Sequence, residues 1–207
     1  VIPNEVSCNA AISACEKGNC WQMALSLLSS MPAIRLIPDM ISYSSAMSAC
    51  EKGIQWQMAI SLLSGMPVMR ILPDIISYNA AISACAKGVQ WQLALRLLSS
   101  MPELRLIPNT RSYNAAIAAC ELEGLWQLAL SLLSSMPVTK TVPDTINYNS
   151  VISSCASGSQ WQWALSLLRF MPPMRASPTT ISYSAAISAC GQMCGPWQIA
   201  ISLLAEM

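Results

Sequence analysis

Hydrogen-bonding side chains recur in this chain at a fixed interval. The stretch Pro73-Asp74-Ile75-Ile76-Ser77-Tyr78-Asn79 carries several of them. It returns as Pro38-Asp39-Met40-Ile41-Ser42-Tyr43-Ser44, Pro108-Asn109-Thr110-Arg111-Ser112-Tyr113-Asn114, Pro143-Asp144-Thr145-Ile146-Asn147-Tyr148-Asn149 and Pro178-Thr179-Thr180-Ile181-Ser182-Tyr183-Ser184. A weaker copy, Pro3-Asn4-Glu5-Val6-Ser7-Cys8-Asn9, opens the chain. The prolines stand at 3, 38, 73, 108, 143 and 178, a period of 35. Asp39, Asp74, Asn109, Asp144 and Thr179 are of the types that cap helix N-termini, because a short side-chain oxygen accepts from an orphan backbone N–H. This chemistry is binding chemistry. The sequence has no histidine, no glycine-rich phosphate loop and no metal-ligand cluster, so nothing in it outlines a catalytic centre. Zinc-dependent base deamination in particular needs a His/Cys ligand set that the chain lacks.

The other reactive side chains are nine cysteines. Six of them, Cys15, Cys50, Cys85, Cys120, Cys155 and Cys190, sit one period apart. Packed helices lie about 8–10 Å apart, whereas disulfide partners need Cα atoms within about 7 Å. Equivalent cysteines in stacked units are therefore expected to act as small apolar residues at helix contacts. Cys190 and Cys194 are close in sequence, but no second pair accompanies them and a zinc site is not expected. Many free thiols suit a reducing compartment.

A period of this size means stacked repeats, not globular domains, and overrides a domain count from length. One unit, read in order, predicts a helical hairpin. From Ile76 to about Lys87, the residues Tyr78, Ala81, Ile82 and Cys85 fall on one helical face. Lys87-Gly88 is expected to end that helix, the cation suiting the dipole and the glycine leaving the helical region. Trp91 to Met101 predicts a second helix, apolar nearly all round and so packed on both sides. Pro102 stops it, and Glu103–Pro108 is the linker. Tryptophans follow the same period at 21, 56, 91, 126 and 161, then slip by one to Trp197. They are expected to form the core between helices, each burial contributing at most about 4–6 kcal/mol. The whole chain, 1–207, is expected to be one array, with repeats near 5–39, 40–74, 75–109, 110–144, 145–179 and an incomplete 180–207.

The composition fits such an array: 54% of residues are apolar, 10% are charged, and the net charge is +1. That charge neither demands nor excludes nucleic acid. The longest uncharged runs, Thr145–Leu168 and Ala176–Ala205, are broken by polar residues, so no membrane span and no membrane partner are expected. No targeting segment is visible. The chain opens on the tail of one unit and stops inside another, which predicts a segment of a longer protein.

The tetratricopeptide repeat has a period of 34 and another signature. Here Ile76-Ser77-Tyr78-Asn79 leads to Lys87-Gly88, then Ala94-Leu95-Arg96-Leu97-Leu98-Ser99-Ser100-Met101, then Pro108-Asn109. This order closely resembles the pentatricopeptide repeat family in its 35-residue form, over essentially the whole chain. The resemblance implies an all-α fold, a right-handed α-solenoid of about six stacked hairpins, with the first helices lining the concave surface. It implies no cofactor and no catalysis. It implies single-stranded RNA as the partner, one base per repeat, in the RNA processing, stability, editing or translation of a mitochondrion or chloroplast, with processing enzymes recruited.

Residue by residue, the resemblance pairs Asn9 with Asp39, Ser44 with Asp74, Asn79 with Asn109, Asn114 with Asp144, and Asn149 with Thr179 as base readers. Ser184 has lost its partner. An asparagine amide both donates and accepts, so it suits a pyrimidine edge; serine leaves room for a purine; aspartate only accepts. The family's rule implies a site reading U, G, C, U, a pyrimidine and a purine, 5′ to 3′ along the protein from N to C. Val6, Ile41, Ile76, Ile146 and Ile181 would pack on base faces, and Lys17, Lys52 and Lys87 would meet phosphate. Departures from the pattern stand at Cys8 for tyrosine, at Arg111 for the base-packing aliphatic, and at Leu122, Ser157 and Gln192 for the lysine. Arg35, Arg70, Arg105, Lys140 and Arg175 make a second basic stripe, read either as phosphate contacts or as a solvated row. The alternative function is a protein-binding scaffold, since hairpin solenoids also offer concave surfaces to peptides. Uncapped apolar ends leave self-association open.

Overall fold

A computed structural model of the chain describes residues 3–171, 176–191 and 197–206. Arg175, Gln192 and Cys194, named above, lie outside them. Twelve α-helices and two short 3-10 turns occur among the described residues. They divide into two compact units, Val1–Leu106 and Ile107–Met207. No helix among the described residues is long and apolar enough to cross a membrane.

The first unit holds α1 (Glu5–Lys17), α2 (Trp21–Ser30), α3 (Met40–Lys52), α4 (Trp56–Gly65), α5 (Ile75–Lys87) and α6 (Trp91–Ser100). In it, α1 packs on α3 and α3 on α5, while α2 touches both α1 and α3, and α4 both α3 and α5. The second unit holds α7 (Thr110–Leu122), α8 (Trp126–Ser135), α9 (Thr145–Ser157), α10 (Trp161–Phe170), α11 (Thr180–Gly191) and α12 (Trp197–Glu206). It repeats the pattern: α7, α9 and α11 form a row, and α8 and α10 each wedge against two members of it. Each unit is thus a stack of helical hairpins whose first helices make a continuous inner row.

Burial follows the predicted face. Tyr78, Ala81, Ile82 and Cys85 are all buried, and the equivalent Tyr43, Ala46, Met47 and Cys50 likewise. Burial pushes the thiols of Cys50, Cys85, Cys120 and Cys155 up to about 11, so they are protonated packing groups. Cys50 and Ala84 close one core cluster with Ala59, and Leu25, Trp56 and Leu62 lean on it. Small side chains at this seam let neighbouring first helices approach closely.

The helix ends at Lys87-Gly88 as expected, and Gly88 leaves the helical region at φ −81° and ψ 7° without becoming left-handed; the expectation about the tryptophans needs correction. The left-handed residue is the next one, Val89, at φ 58°. The same place is filled by Asn19, Ile54, Gly124 and Ser159. There the chain closes the helix with an N–H to a cysteine carbonyl five residues back, as in Gln55 N to Cys50 O at 2.8 Å and Gln90 N to Cys85 O at 2.8 Å. Glycine is needed at 88 for another reason. A β-carbon there would lie 2.3 Å from Cδ1 of Trp56. Gly53 meets Trp21 at the same 2.3 Å, and Gly158 meets Trp126 at 2.5 Å. Each of these tryptophans therefore packs its ring against the end of the following first helix. It is half-buried rather than sealed in a core, and Trp197 is largely exposed.

The second helices are not packed all round either. Met23, Leu128 and Trp163 are exposed on them, while Ala24, Leu28, Ala129 and Leu133 are buried. The linkers are folded. Pro102 opens a 3-10 turn, Pro102–Leu104, because its missing N–H and fixed φ suit a first turn. The turn ends at Arg105 with φ 59°, and Leu106 N donates to Met101 O at 2.9 Å. Arg35, Arg70 and Lys140 repeat that geometry.

Gly88→Ala is expected to lower stability by about 1–3 kcal/mol despite alanine's better helix propensity, because the methyl overpacks Trp56. Denaturant unfolding of Gly88→Ala, Trp56→Ala and the double variant checks this. The double variant should be no less stable than Trp56→Ala alone, whereas additive losses would remove the contact from the account. Val89→Gly should gain up to about 1 kcal/mol, since a β-branched residue at positive φ is strained; a lower melting temperature would contradict that.

Candidate nucleic-acid interface

The inner row begins, helix by helix, at a capping side chain. Asp39 and Asp74 accept from Ser42 N and Ser77 N at 2.8 Å, Asn109 from Ser112 N at 3.1 Å, and Asp144 from Asn147 N at 2.9 Å. The third helical residue answers in several copies. Ser42, Ser112 and Ser182 accept from the backbone N–H of Asp39, Asn109 and Thr179 at 3.2, 3.2 and 2.9 Å, and Asn147 does so from Asp144 at 2.9 Å. These are capping boxes built on Ser or Asn, not Glu. The capping reading of Asp39, Asp74, Asn109 and Asp144 therefore holds.

The same caps meet the helix before them. Asn9, on α1, donates its amide to both carboxylate oxygens of Asp39 at 3.1 and 3.2 Å. Asn149, on α9, reaches Thr179 Oγ1 at 3.4 Å. Asn114 is joined instead to Asn147, which donates to its Oδ1 at 2.5 Å. Ser44 turns back to the Ile41 carbonyl at 3.1 Å and leaves Asp74 to the Ser77 hydroxyl, 2.8 Å away. Ser184 likewise bonds the Ile181 carbonyl. Asparagine positions are thus bridged across the inner row, and serine positions are open. Asn79 is buried on α5, whereas Asn109 belongs to the other unit.

Burial of Asp39 would push its carboxyl up, but bonds from the Ser42 backbone and hydroxyl, the Asn9 amide and the Ile41 backbone outweigh it. The carboxyl stays below the usual carboxylate range. It is therefore an ionised acceptor near neutral pH.

One turn before each of Asn9, Ser44, Asn79, Asn149 and Ser184 stands a large aliphatic side chain. Val6, Ile41, Ile76, Ile146 and Ile181 are between 58% and 75% exposed. An i, i+3 spacing puts each on the same face as its polar neighbour. Single exposed apolar residues are ordinary, but Val6, Ile41 and Ile76 repeat one register in the first unit, and Ile146 and Ile181 repeat it in the second. Arg111, at the sixth place, is also exposed. In the second unit, Ile146, Ile181, Asn149 and Ser184 line one open groove of roughly 520 Å³, with Ser153 and Glu121 at its far end. Aliphatic walls and amide or hydroxyl groups face the same space.

Lys52 and Lys87 are exposed but not free. Lys52 lies 3.1 Å from Glu16, and Lys87 3.0 Å from Glu51, each on the preceding first helix. Ser83 donates to the same Glu51 carboxylate at 2.7 Å, and Ser153 to Glu121 at 2.6 Å. Such exposed pairs are worth at most about 1 kcal/mol. Lys17 is exposed on α1. Arg35, Arg70, Arg105 and Lys140 are exposed at the left-handed turn positions of the linkers. Sequence reasoning passed over the carboxylates and the third helical residues. Their signal was present: a glutamate directly before Lys17, Lys52 and Leu122, and Ser or Asn at 7, 42, 77, 112, 147 and 182.

Comparisons with known proteins agree with this architecture. A profile described as the PPR repeat family matches residues 73–121, the pentatricopeptide repeat domain matches 131–193, and the PPR repeat matches 6–36 and 111–138. A search of curated proteins returns no match. Among solved structures, the pentatricopeptide repeat protein PPR10 from maize superposes with a TM-score of 0.76 at 22% identity, over 100% of this chain and 30% of that one. PPR10 in complex with an 18-nucleotide psaJ RNA element gives 0.62 at 18% identity, over 99% and 35%. The PPR domain of Arabidopsis thaliana protein-only RNase P 1, in complex with tRNA, gives 0.73 at 13% identity, over 87% and 95%. At these identities the likeness is one of fold, and the chain spans about a third of the PPR10 chain. With repeat profiles matching residues 6–36 and 73–193 and stacked hairpins in both units, the chain belongs to the pentatricopeptide repeat family.

Proposed function

We propose that this chain binds single-stranded RNA along its first helices, one base per repeat, as part of a longer protein. The observation that carries this is the groove of the second unit, where Ile146, Ile181, Asn149 and Ser184 face one space. A base offers two apolar faces and a polar edge. Aliphatic side chains from successive first helices suit the faces, and the amide and hydroxyl suit the edge. In the first unit, Val6, Ile41 and Ile76 repeat the aliphatic register. On this reading, the repeats near 5–39, 40–74, 75–109, 110–144, 145–179 and 180–207 present the pairs Asn9/Asp39, Ser44/Asp74, Asn79/Asn109, Asn114/Asp144 and Asn149/Thr179. The bases read would be U, G, C, U and a pyrimidine.

The chain's own role is binding, without catalysis. The RNA complexes of PPR10 and of the RNase P 1 PPR domain support RNA as the ligand class. By analogy with the family, the bound RNA would be a mitochondrial or chloroplast transcript, with processing enzymes recruited to it. Six repeats select a short site, and specificity must be weighed against how often such a site recurs. A longer array would give the specificity one transcript needs.

Fluorescence anisotropy tests the reading with labelled UGCUC RNA, a scrambled strand and a duplex, at two salt concentrations. The matched strand should bind tightest, and Asn149→Ser should shift the fifth position from pyrimidine towards purine. Equal, salt-sensitive binding of both strands would remove the base reading and leave phosphate attraction alone. No binding at either salt would favour a protein-binding scaffold. Glu51→Gln should raise affinity about two- to fivefold at low salt by releasing Lys87. An unchanged affinity would take Lys87 out of the phosphate path.

A further inference from the structure

An asparagine side chain presents a donor or an acceptor depending only on which way its amide is turned. A reading asparagine therefore discriminates bases only if something fixes that turn. In three places the third residue of the following first helix lies against the asparagine oxygen. The Ser42 hydroxyl is 2.6 Å from Asn9 Oδ1, the Asn147 amide 2.5 Å from Asn114 Oδ1, and the Ser182 hydroxyl 2.5 Å from Asn149 Oδ1. We propose that this third helical residue, Ser42, Asn147 or Ser182, is a specificity-determining positioning residue that engages the carbonyl of the reading asparagine and so directs its NH₂, shared with the cap at Asn9 and Asn149, towards the reading edge. The inference rests on the RNA reading above and adds a residue to it.

The surroundings grade the lock. At Asn147 the orientation is dictated by the backbone: Asp144 N–H must donate to its Oδ1, at 2.9 Å, so its NH₂ is the group turned to Asn114. A reversed Asn114 amide would set NH₂ against NH₂. At Asn9 the NH₂ lies against the Asp39 carboxylate, which accepts only, so reversal would set carbonyl against carboxylate. Both locks are one-way. At Asn149 the partners are two hydroxyls, Thr179 Oγ1 at 3.4 Å and Ser182 Oγ at 2.5 Å, themselves 3.2 Å apart. Hydroxyls donate or accept by rotating, so that ring can run in either direction and holds the amide loosely. Asn9 and Asn114 should discriminate sharply, and Asn149 loosely. Ser77 gives the contrast. Its hydroxyl lies 2.8 Å from Asp74, as that of Ser42 does from Asp39, but Ser44 offers no amide for it to hold.

The test is RNA binding by the 207-residue chain to strands varied only at the fourth base, which Asn114 and Asp144 would read, with thermal unfolding alongside. The parent should prefer its base about tenfold over the others. Asn147→Ala should cut that preference to about threefold or less, at that position alone. Asn147→Ser, which restores the donor used elsewhere, should keep it. Ser42→Ala should weaken the first-base preference less, because Asp39 still holds the Asn9 amide, while Ser77→Ala leaves the second base unchanged. Asn114→Ser reports on the underlying reading. If Asn114→Ser changes the fourth-base preference and Asn147→Ala does not, the positioning role is overturned and the reading stands. If neither changes it, both fall. Loss of preference at every position together in Asn147→Ala would also overturn the proposal, since it reports folding.

Discussion

One hydrogen bond recurs at the base of this architecture: a backbone N–H in the first turn of α1, α3, α5, α7 and α9 donating to the side chain just after the proline. Ser42 N to Asp39 and Ser77 N to Asp74, both at 2.8 Å, are two instances. The bond stabilises the helix start by about 1 kcal/mol. Its larger effect is positional. It anchors a polar side chain at the seam between two inner helices, with its remaining acceptor capacity turned to the earlier one. Asn9 uses that capacity directly. A recognition edge can thus be assembled from contacts that folding already requires.

The apolar packing holds the seams in register. Cysteine and alanine keep neighbouring inner helices close, and a tryptophan closes over the glycine at the end of the following helix. With the inner row spaced this way, side chains on its open face repeat at each helix. That spacing explains why Val6, Ile41, Ile76, Ile146 and Ile181 stay exposed where a globular fold would hide them. A single hairpin could not bury its apolar faces or present such a series. Stacking does both.

Much of this was legible in the sequence because the period repeats every local signal. Hairpins, caps, the buried tyrosine face and the thiol packing all follow from residue type at fixed spacing. What was not legible depends on contacts between units. Gly88 looks like a helix stop, and only the ring of Trp56 shows that it is a steric gap. Val89 does not look like a left-handed residue, because β-branched side chains disfavour that region and only the closing bonds of the turn hold it there. Lys52 and Lys87 read as free cations until Glu16 and Glu51 are seen beside them. The third helical residue is one more recurring Ser or Asn in the sequence, and its bond to the preceding helix appears only in three dimensions.

The central claim is that one side chain both starts a helix and reads a base. Asp39→Asn separates the two roles, since Asn109 shows that asparagine caps an inner helix in this fold. Measuring melting temperature and RNA base preference on that variant beside the parent is the direct test. The account predicts a nearly unchanged melting temperature and a first-base preference moved from U towards C. A retained melting temperature with an unmoved preference would contradict it, and would leave Asp39 a cap and nothing more.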